Sequence, residues 1–206
     1  ALVDGDVTLW ESTVIARYLD RKYPEPALSP SGAVENAKMD MWFARQAPLA
    51  NASHNLTWSL AMRPRLVATG PEAQATAING IPDPALKARR ETIVMDGLES
   101  PEVGMAVRYF KRTLELLEDM LEGPFVLGDT LTLADLLLSP YLLRLDQTGL
   151  FEAMGGKSGK TGAWYDTMLA RESVQKGVIG VMPPPVAEAL AAAGKAHAAE
   201  LQAKLD

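Results

Sequence analysis

The chain has 206 residues, of which 48% are hydrophobic and 22% are charged, a composition typical of globular proteins and not of disordered or fibrous ones. Its formal net charge is −6, so nucleic acid is not an expected partner. Cysteine is absent and histidine occurs twice, which excludes disulfides and thiolate metal sites, and we expect no metal. We find neither an apolar run long enough to cross a bilayer nor a signal-like start, and therefore expect a cytoplasmic protein without a membrane partner.

The first residues predict a β-hairpin. Ala1-Leu2-Val3 and Val7-Thr8-Leu9-Trp10 are short apolar runs, and Asp4-Gly5-Asp6 between them supplies the positive φ of a tight turn. A two-stranded ribbon is only marginally stable alone, and nothing downstream has comparable strand character. We therefore expect that part of an α/β domain precedes residue 1.

A helix is predicted directly after the hairpin. Glu11-Ser12-Thr13 is followed by apolar residues at helical spacing and then by basic residues, and Pro24 ends the pattern. Residues 24–32 are rich in proline, serine and glycine, which favour neither helix nor strand. We interpret them as an interdomain linker between residues 1–23 and residues 33–182.

Residues 33–182 predict an all-helical domain of five or six helices. Residues 34–46 and 56–62 have helical patterns, and Pro48 between them is expected to kink or divide the element. Residues 69–101 are interrupted by glycine and proline and are interpreted as an insertion, in which one helix could begin near Asp83.

The second half of this domain has stronger signals. Residues 102–122 carry a regular apolar stripe. Thr132 and Asp135 fit the aspartate version of a capping box, followed by a helix that is apolar on nearly every side and therefore belongs in the centre of a bundle. We assign Asp135 this structural role rather than acid–base chemistry, and a cap of this kind is worth about 0.5 to 2 kcal/mol.

Three further features complete the pattern. A helix is predicted over residues 163–175, and residues 183–206 predict an amphipathic tail helix that packs loosely. Small basic clusters are expected to be solvated faces; they comprise Arg63, Arg65, Lys87, Arg89 and Arg90.

Several strings, in this order, resemble the glutathione transferase superfamily. They are Leu2-Val3-Asp4-Gly5-Asp6, Leu9-Trp10-Glu11-Ser12-Thr13-Val14-Ile15, Phe125-Val126-Leu127-Gly128-Asp129, Leu131-Thr132-Leu133-Ala134-Asp135 and Ala163-Trp164-Tyr165. The resemblance implies a mainly α fold: an all-helical C-terminal bundle preceded by the last hairpin and helix of a thioredoxin-like α/β domain, most of which would lie upstream. It also implies a homodimer. The long region containing Ile81-Pro82-Asp83-Pro84 looks most like bacterial enzymes of the β-aryl etherase type.

Glu11 and Ser12 are the candidate residues for glutathione binding. The γ-glutamyl end of glutathione carries an ammonium and a carboxylate, so its receptor needs an anion site beside a cation site. The Ser12 hydroxyl and the first N–H groups of the helix can bind the carboxylate, and Glu11 can hold the ammonium. The resemblance implies the same roles. The alternative is a purely structural role, in which Ser12 only caps the helix and Glu11 only complements its dipole.

The resemblance implies that an active-site hydroxyl or thiol favours the glutathione thiolate, which attacks a hydrophobic, aromatic electrophile. The residue that does so is expected upstream of Ala1, so the catalytic residue is unknown. An apolar site for the electrophile could be lined by Met41, Trp42, Trp58 and Met62, with His54 orienting the substrate or donating a proton. For each of these residues, helix packing or a polar surface contact is the alternative role.

Three functions remain open at this point. The first is a general conjugating glutathione transferase acting in detoxification. The second is a glutathione-dependent enzyme that cleaves β-aryl ethers. The third is a structural or interaction module that keeps the fold without turnover; retention of an acidic residue beside Ser12 favours an enzyme, because a scaffold needs a cap but no ammonium partner.

Overall fold

A computed structural model describes residues 1–205, and it begins with the predicted hairpin. Strands β1 (Leu2–Asp4) and β2 (Val7–Leu9) pair in antiparallel register, with Leu2 opposite Leu9. Gly5 has a φ of 59°, a conformation that glycine adopts without steric cost. The hairpin prediction is therefore confirmed, and its two strands form a sheet by themselves.

The other named elements of the described chain are helices. The helices are α1 (Ser12–Lys22), α2 (Ala33–Phe43), α3 (Gln46–Thr57), α4 (Arg63–Ala68), α5 (Pro71–Asn79), α6 (Pro84–Asp96), α7 (Pro101–Met120), α8 (Leu133–Gln147), α9 (Gly159–Leu169), α10 (Glu172–Val174), α11 (Pro184–Ala196) and α12 (Ala198–Gln202). Two π-helical turns, Trp58–Met62 and Gln175–Ile179, continue α3 and α10. The predicted mainly α fold is confirmed, but the bundle has more helical segments than the five or six expected, because turns and π-turns divide the longer elements.

Pro48 was predicted to kink or divide the helical element over residues 34–62, and the element is divided close to Pro48 rather than kinked at it. It is the third residue of α3, and the break lies before it, at Ala44 and Arg45. A proline fits in the first turn of a helix because the N–H groups there have no carbonyl partner within the helix. The chain thus turns between α2 and α3, so that Gln46 becomes the first residue of a new helix.

The predicted insertion contains two helices, α5 and α6, rather than one. The helix expected near Asp83 is present, because the N–H groups of Ala85 and Leu86 donate to the Asp83 carboxylate at 2.8 and 3.2 Å. No residue of α5 is buried, which explains why its sequence has so little apolar periodicity.

The core lies between α3, α7 and α8. The apolar stripe predicted on α7 is buried; its members are Val103, Val107, Phe110, Leu114, Leu117 and Leu121. Helix α8 contacts α1, α2, α3, α9 and α11, as expected for a helix that is apolar on most of its surface. Residues 24–32 are hydrogen-bonded to α1 and to α8. The Leu28 N–H donates to Asp20 of α1 at 2.6 Å, and the Leu133 N–H of α8 donates to the Leu28 carbonyl at 3.0 Å.

The C-terminal part differs from the prediction. The expected helix over 163–175 begins at Gly159 and ends at Leu169, and the tail is two helices that meet at His197. The expectation that the tail packs loosely was wrong, since Leu190 and Leu201 are buried in the core. Within residues 1–205, no individual helix has the length and apolar composition of a membrane span; residues 172–179 and Pro184–Ala196 meet that criterion only as a pair bent by 83°.

Candidate functional site

The N-terminus of α1 follows directly from the hairpin. Glu11 is the N-cap residue and has a φ of 67° and a ψ of 118°, an unusual backbone conformation for a residue with a side chain. Neither Glu11 nor another side chain caps this helix end. Glu11 and Ser12 are both exposed. Because the first N–H groups of a helix need partners from outside it, this end of α1 is able to accept an anionic group.

The Ser12 side chain does not cap α1, as the alternative role would require, but contacts Gln46 instead. The Nε2 group of Gln46 donates to the Ser12 Oγ at 3.0 Å. This hydrogen bond therefore connects the N-terminus of α1 to the N-terminus of α3.

A second set of contacts holds α1 against the bundle. Arg17 forms an ion pair with Asp40 of α2, and its guanidinium carbon lies 4.6 Å from the centre of the Phe43 ring. On the opposite side, the Tyr18 hydroxyl donates to Asp4 at 2.6 Å, and Lys22 pairs with the same carboxylate. The hydrogen bonds from Lys22 and Tyr18 lower the pKa of Asp4. The α1 helix is therefore fixed between the hairpin and the helical bundle.

The candidates for a hydrophobic site differ in exposure. Trp42 belongs to the core and is 5% exposed, whereas Met41 on the same helix is 58% exposed. Met62, at the end of the first π-turn, is 46% exposed. The described residues contain five surface cavities of about 240 to 590 Å³, and Met41, Trp42 and Met62 line none of these five.

His54 and Trp58 do lie together, on either side of Arg90. The guanidinium carbon of Arg90 is 3.6 Å from the centre of the Trp58 ring, and its Nη2 is 2.5 Å from Nε2 of His54. Arg90 is only 7% exposed, so the prediction that it belongs to a solvated basic face was wrong. The ring of Trp58 and the neutral nitrogen of His54 replace part of the hydration that the guanidinium loses.

The electrostatics of this cluster are set by burial. Burial lowers the pKa of Arg90 to about 10. Burial, followed by the positive charges of Arg90 and Arg89, lowers the pKa of His54. His54 is therefore held neutral, with its Nε2 lone pair directed at a cation. His197, the other histidine, is exposed and lies 3.1 Å from Glu200, far along the chain from this cluster.

Thr132 and Asp135 form a capping box at the start of α8. The Asp135 carboxylate accepts from the N–H of Thr132 at 2.9 Å, and also from the N–H of Val126 at 2.7 Å and the indole N–H of Trp164 at 2.9 Å. Asp135 is fully buried. Asp135 thus connects three segments of the chain, and its hydrogen-bond partners lie inside the fold, in agreement with a structural role.

The sequence analysis missed the roles of Gln46 and Arg90. Both residues acquire their partners through contacts with residues at least 32 positions away along the chain. The burial of Arg90 could have been suspected from its apolar neighbours Ile93 and Val94 at helical spacing on the same face. No group of three or more His, Cys, Asp or Glu side chains in residues 1–205 is arranged to hold a metal ion.

Comparison with known proteins agrees with this architecture. Residues 50–166, more than half of the chain, match the family described as glutathione S-transferase, C-terminal domain. The chain therefore belongs to the glutathione S-transferase C-terminal domain family. The match begins within α3 and ends within α9, and thus includes the core helix α8.

Relatives in plants extend the similarity to nearly the whole chain. The probable glutathione S-transferase GSTF2 of Oryza sativa subsp. japonica is 26% identical over 187 residues, which are 90% of this chain and 74% of that protein. Glutathione S-transferase 4 of Zea mays is 29% identical over 181 residues, 85% of this chain and 66% of that protein. The crystal structure of glutathione transferase F2 from Populus trichocarpa shares the fold, with a TM-score of 0.53 and 24% identity over 86% of this chain and 72% of that one.

Proposed function

We propose that this chain is the glutathione-binding and electrophile-binding part of a glutathione transferase. Its family and its relatives support a transferase of this type. The observation that carries the proposal is the exposed, uncapped N-terminus of α1, at which Glu11 and Ser12 stand side by side.

The proposed ligand group is the γ-glutamyl end of glutathione. Its α-carboxylate would lie at the N-terminus of α1 and accept hydrogen bonds from the helix N–H groups and from the Ser12 hydroxyl. Its ammonium group would pair with the Glu11 carboxylate. The backbone of Glu11 supports this assignment, because a conformation of this kind costs about 1 to 3 kcal/mol and is typical of residues that contact ligands.

The proposed reaction is attack by the glutathione sulfur on an electrophilic carbon. The thiol first loses its proton, the thiolate forms a carbon–sulfur bond, and the leaving group departs with the electron pair of the bond that breaks. We assign no residue of this chain to the activation of the thiol. Conjugation is our first choice over reductive cleavage of β-aryl ethers.

The electrophile is proposed to be hydrophobic and aromatic and to bind against the helical bundle. Among the residues considered for this role, Met41 and Met62 have the exposure that a binding surface requires, whereas the Trp42 side chain is enclosed by the core. We further propose that the protein acts as a homodimer in the cytoplasm.

Calorimetric titration of the full-length protein with reduced glutathione tests the proposal. We expect binding, and we expect Glu11→Ala and Ser12→Ala each to weaken it about tenfold while leaving the unfolding temperature nearly unchanged, because both side chains are exposed. Glu35→Ala is the matched control, since Glu35 lies in the first turn of α2 and should not affect affinity. Unchanged affinity in both variants would favour a module that keeps the fold without using this site.

A further inference from the structure

The side-chain amide of Gln46 donates to the Ser12 hydroxyl, and we propose that Gln46 is a positioning residue for glutathione binding. Its amide orients the Ser12 hydroxyl so that the hydroxyl donates to the α-carboxylate of the ligand. This inference rests on the proposed function and deepens it, because it concerns the residue that makes Ser12 a donor.

The direction of the hydrogen bond is the first step. The Gln46 Nε2 group donates to the Ser12 Oγ at 3.0 Å. A serine hydroxyl has one hydrogen to donate and two lone pairs to accept with. Since Gln46 occupies one lone pair, the hydroxyl hydrogen is directed away from the amide and remains available to a ligand. A hydroxyl that accepts one hydrogen bond also donates a stronger one, because the two bonds polarise each other.

The burial of Gln46 is the second step. Gln46 is half-buried, and its amide is held by a partner on another helix. A side chain that is already partly immobilised loses less entropy when a ligand binds, which favours affinity.

The backbone places this amide. Gln46 is the first residue of α3, directly after the turn at Ala44 and Arg45. Arg45 anchors that turn on α7, where its Nη2 donates to Thr113 at 3.2 Å and its guanidinium carbon lies 5.2 Å from the centre of the Tyr109 ring. The break between α2 and α3 therefore has a fixed geometry, and it presents Gln46 to the end of α1.

A purely structural bridge between α1 and α3 predicts different behaviour. Ser12 is exposed, so its bond to Gln46 competes with water and adds little to the stability of the fold. If the bridge were only structural, replacing the amide by a carboxylate would be harmless, because Ser12 could donate to that carboxylate. If Gln46 sets the direction of the hydroxyl, the same change reverses the hydrogen bond and places a negative charge near the ligand carboxylate.

The test is a double-mutant cycle in the full-length protein, with reduced glutathione as the calorimetric probe. We expect Gln46→Ala to weaken binding about two- to tenfold in the wild-type background and to have no effect in the Ser12→Ala background. Gln46→Glu should weaken binding more than Gln46→Ala does. Gln74→Ala, which removes a half-buried glutamine on α5, is the control and should bind like the wild type.

A second probe reports on the ligand group itself. With a glutathione analogue that lacks the α-carboxylate, γ-aminobutyryl-cysteinyl-glycine, the wild type and Gln46→Ala should bind with equal affinity. Equal effects of Gln46→Ala with and without Ser12, or Gln46→Glu binding as tightly as the wild type, would overturn the role of Gln46 and leave the proposed function standing. Failure of the wild type to bind glutathione would instead refute the proposed function, and this inference with it.

Discussion

The indole N–H of Trp164 donates to the Asp135 carboxylate at 2.9 Å and thereby joins α9 to the start of α8. The other oxygen of the carboxylate accepts from Thr132, as the capping box requires. The Val126 N–H donates to the same oxygen as the indole, at 2.7 Å. Asp135 therefore satisfies donors from three parts of the chain in a site that water does not reach.

Asp135→Ala should destabilise the protein by at least about 3 kcal/mol, because it leaves several buried donors without a partner. This is more than the cap alone would cost. Urea unfolding monitored by circular dichroism measures the effect. Asp129→Ala, at an exposed position in the preceding loop, should change stability by no more than about 0.5 kcal/mol. A cost near 1 kcal/mol for Asp135→Ala would mean that the buried donors find other partners.

Gly194→Ala should also destabilise the protein. A Cβ atom at Gly194 would lie 1.1 Å from the carbonyl oxygen of Thr148, so α11 would have to move away from the end of α8. Overpacking of this kind costs about 1 to 3 kcal/mol or more. Gly177→Ala is the matched control, since a Cβ there meets no atom within 4 Å. Thermal unfolding should show a lower midpoint only for Gly194→Ala; equal midpoints would show that α11 is not closely packed.

The pair of His54 and Arg90 predicts a pH dependence of stability. The pKa of His54 is lowered in the folded protein, so the unfolded chain binds a proton first when the pH falls below the ordinary value of 6.5. The folded state therefore loses stability as the pH falls through that value. His54→Gln should reduce this loss when the free energies of unfolding at pH 7.5 and pH 5.5 are compared.

His197→Gln is the control for this measurement. His197 is exposed, lies 3.1 Å from Glu200 and contacts no arginine, so its replacement controls for the loss of a histidine outside the Arg90 cluster. The same difference in His54→Gln as in the wild type would show that the folded protein does not hold His54 neutral.

Glu118→Gln should weaken the start of α9. The Glu118 carboxylate accepts from the N–H groups of Lys160 and Thr161 at 3.0 and 2.8 Å, and these two hydrogen bonds lower its pKa. The expected cost at pH 7 is about 0.5 to 2 kcal/mol, as for a helix cap. Because the folded pKa is lowered, the contribution is present above the ordinary value of 4.5 and is lost as the pH falls through the folded value.

Glu115→Gln is the comparison for that prediction. Glu115 lies on the same helix and makes only an exposed contact with Lys111 at 3.6 Å, so its replacement should cost less than about 0.5 kcal/mol. Chemical unfolding at pH 7 and pH 3.5 measures both variants. A cost for Glu118→Gln that is the same at the two pH values would contradict the role of the charge.

Local features of this protein are determined by its sequence alone. The turn at Gly5 and Asp6, the apolar stripe of α7 and the pairing of Thr132 with Asp135 are all properties of nearby residues, and each has the predicted structure. Turn geometry, helical periodicity and capping act over one or two turns of chain, so a sequence carries them directly.

The contacts that define the candidate site required the tertiary structure. Gln46 contacts Ser12, which is 34 positions away in the sequence, and Arg90 contacts His54, which is 36 positions away. The packing of whole helices brings these side chains together. The basic residues around Arg90 predict a solvated surface, and Pro48 predicts a kinked or divided helix. Neither pattern shows which helices pack against these residues. Which polar group faces which partner is decided by the summed packing of the bundle, and that information is spread over the entire chain.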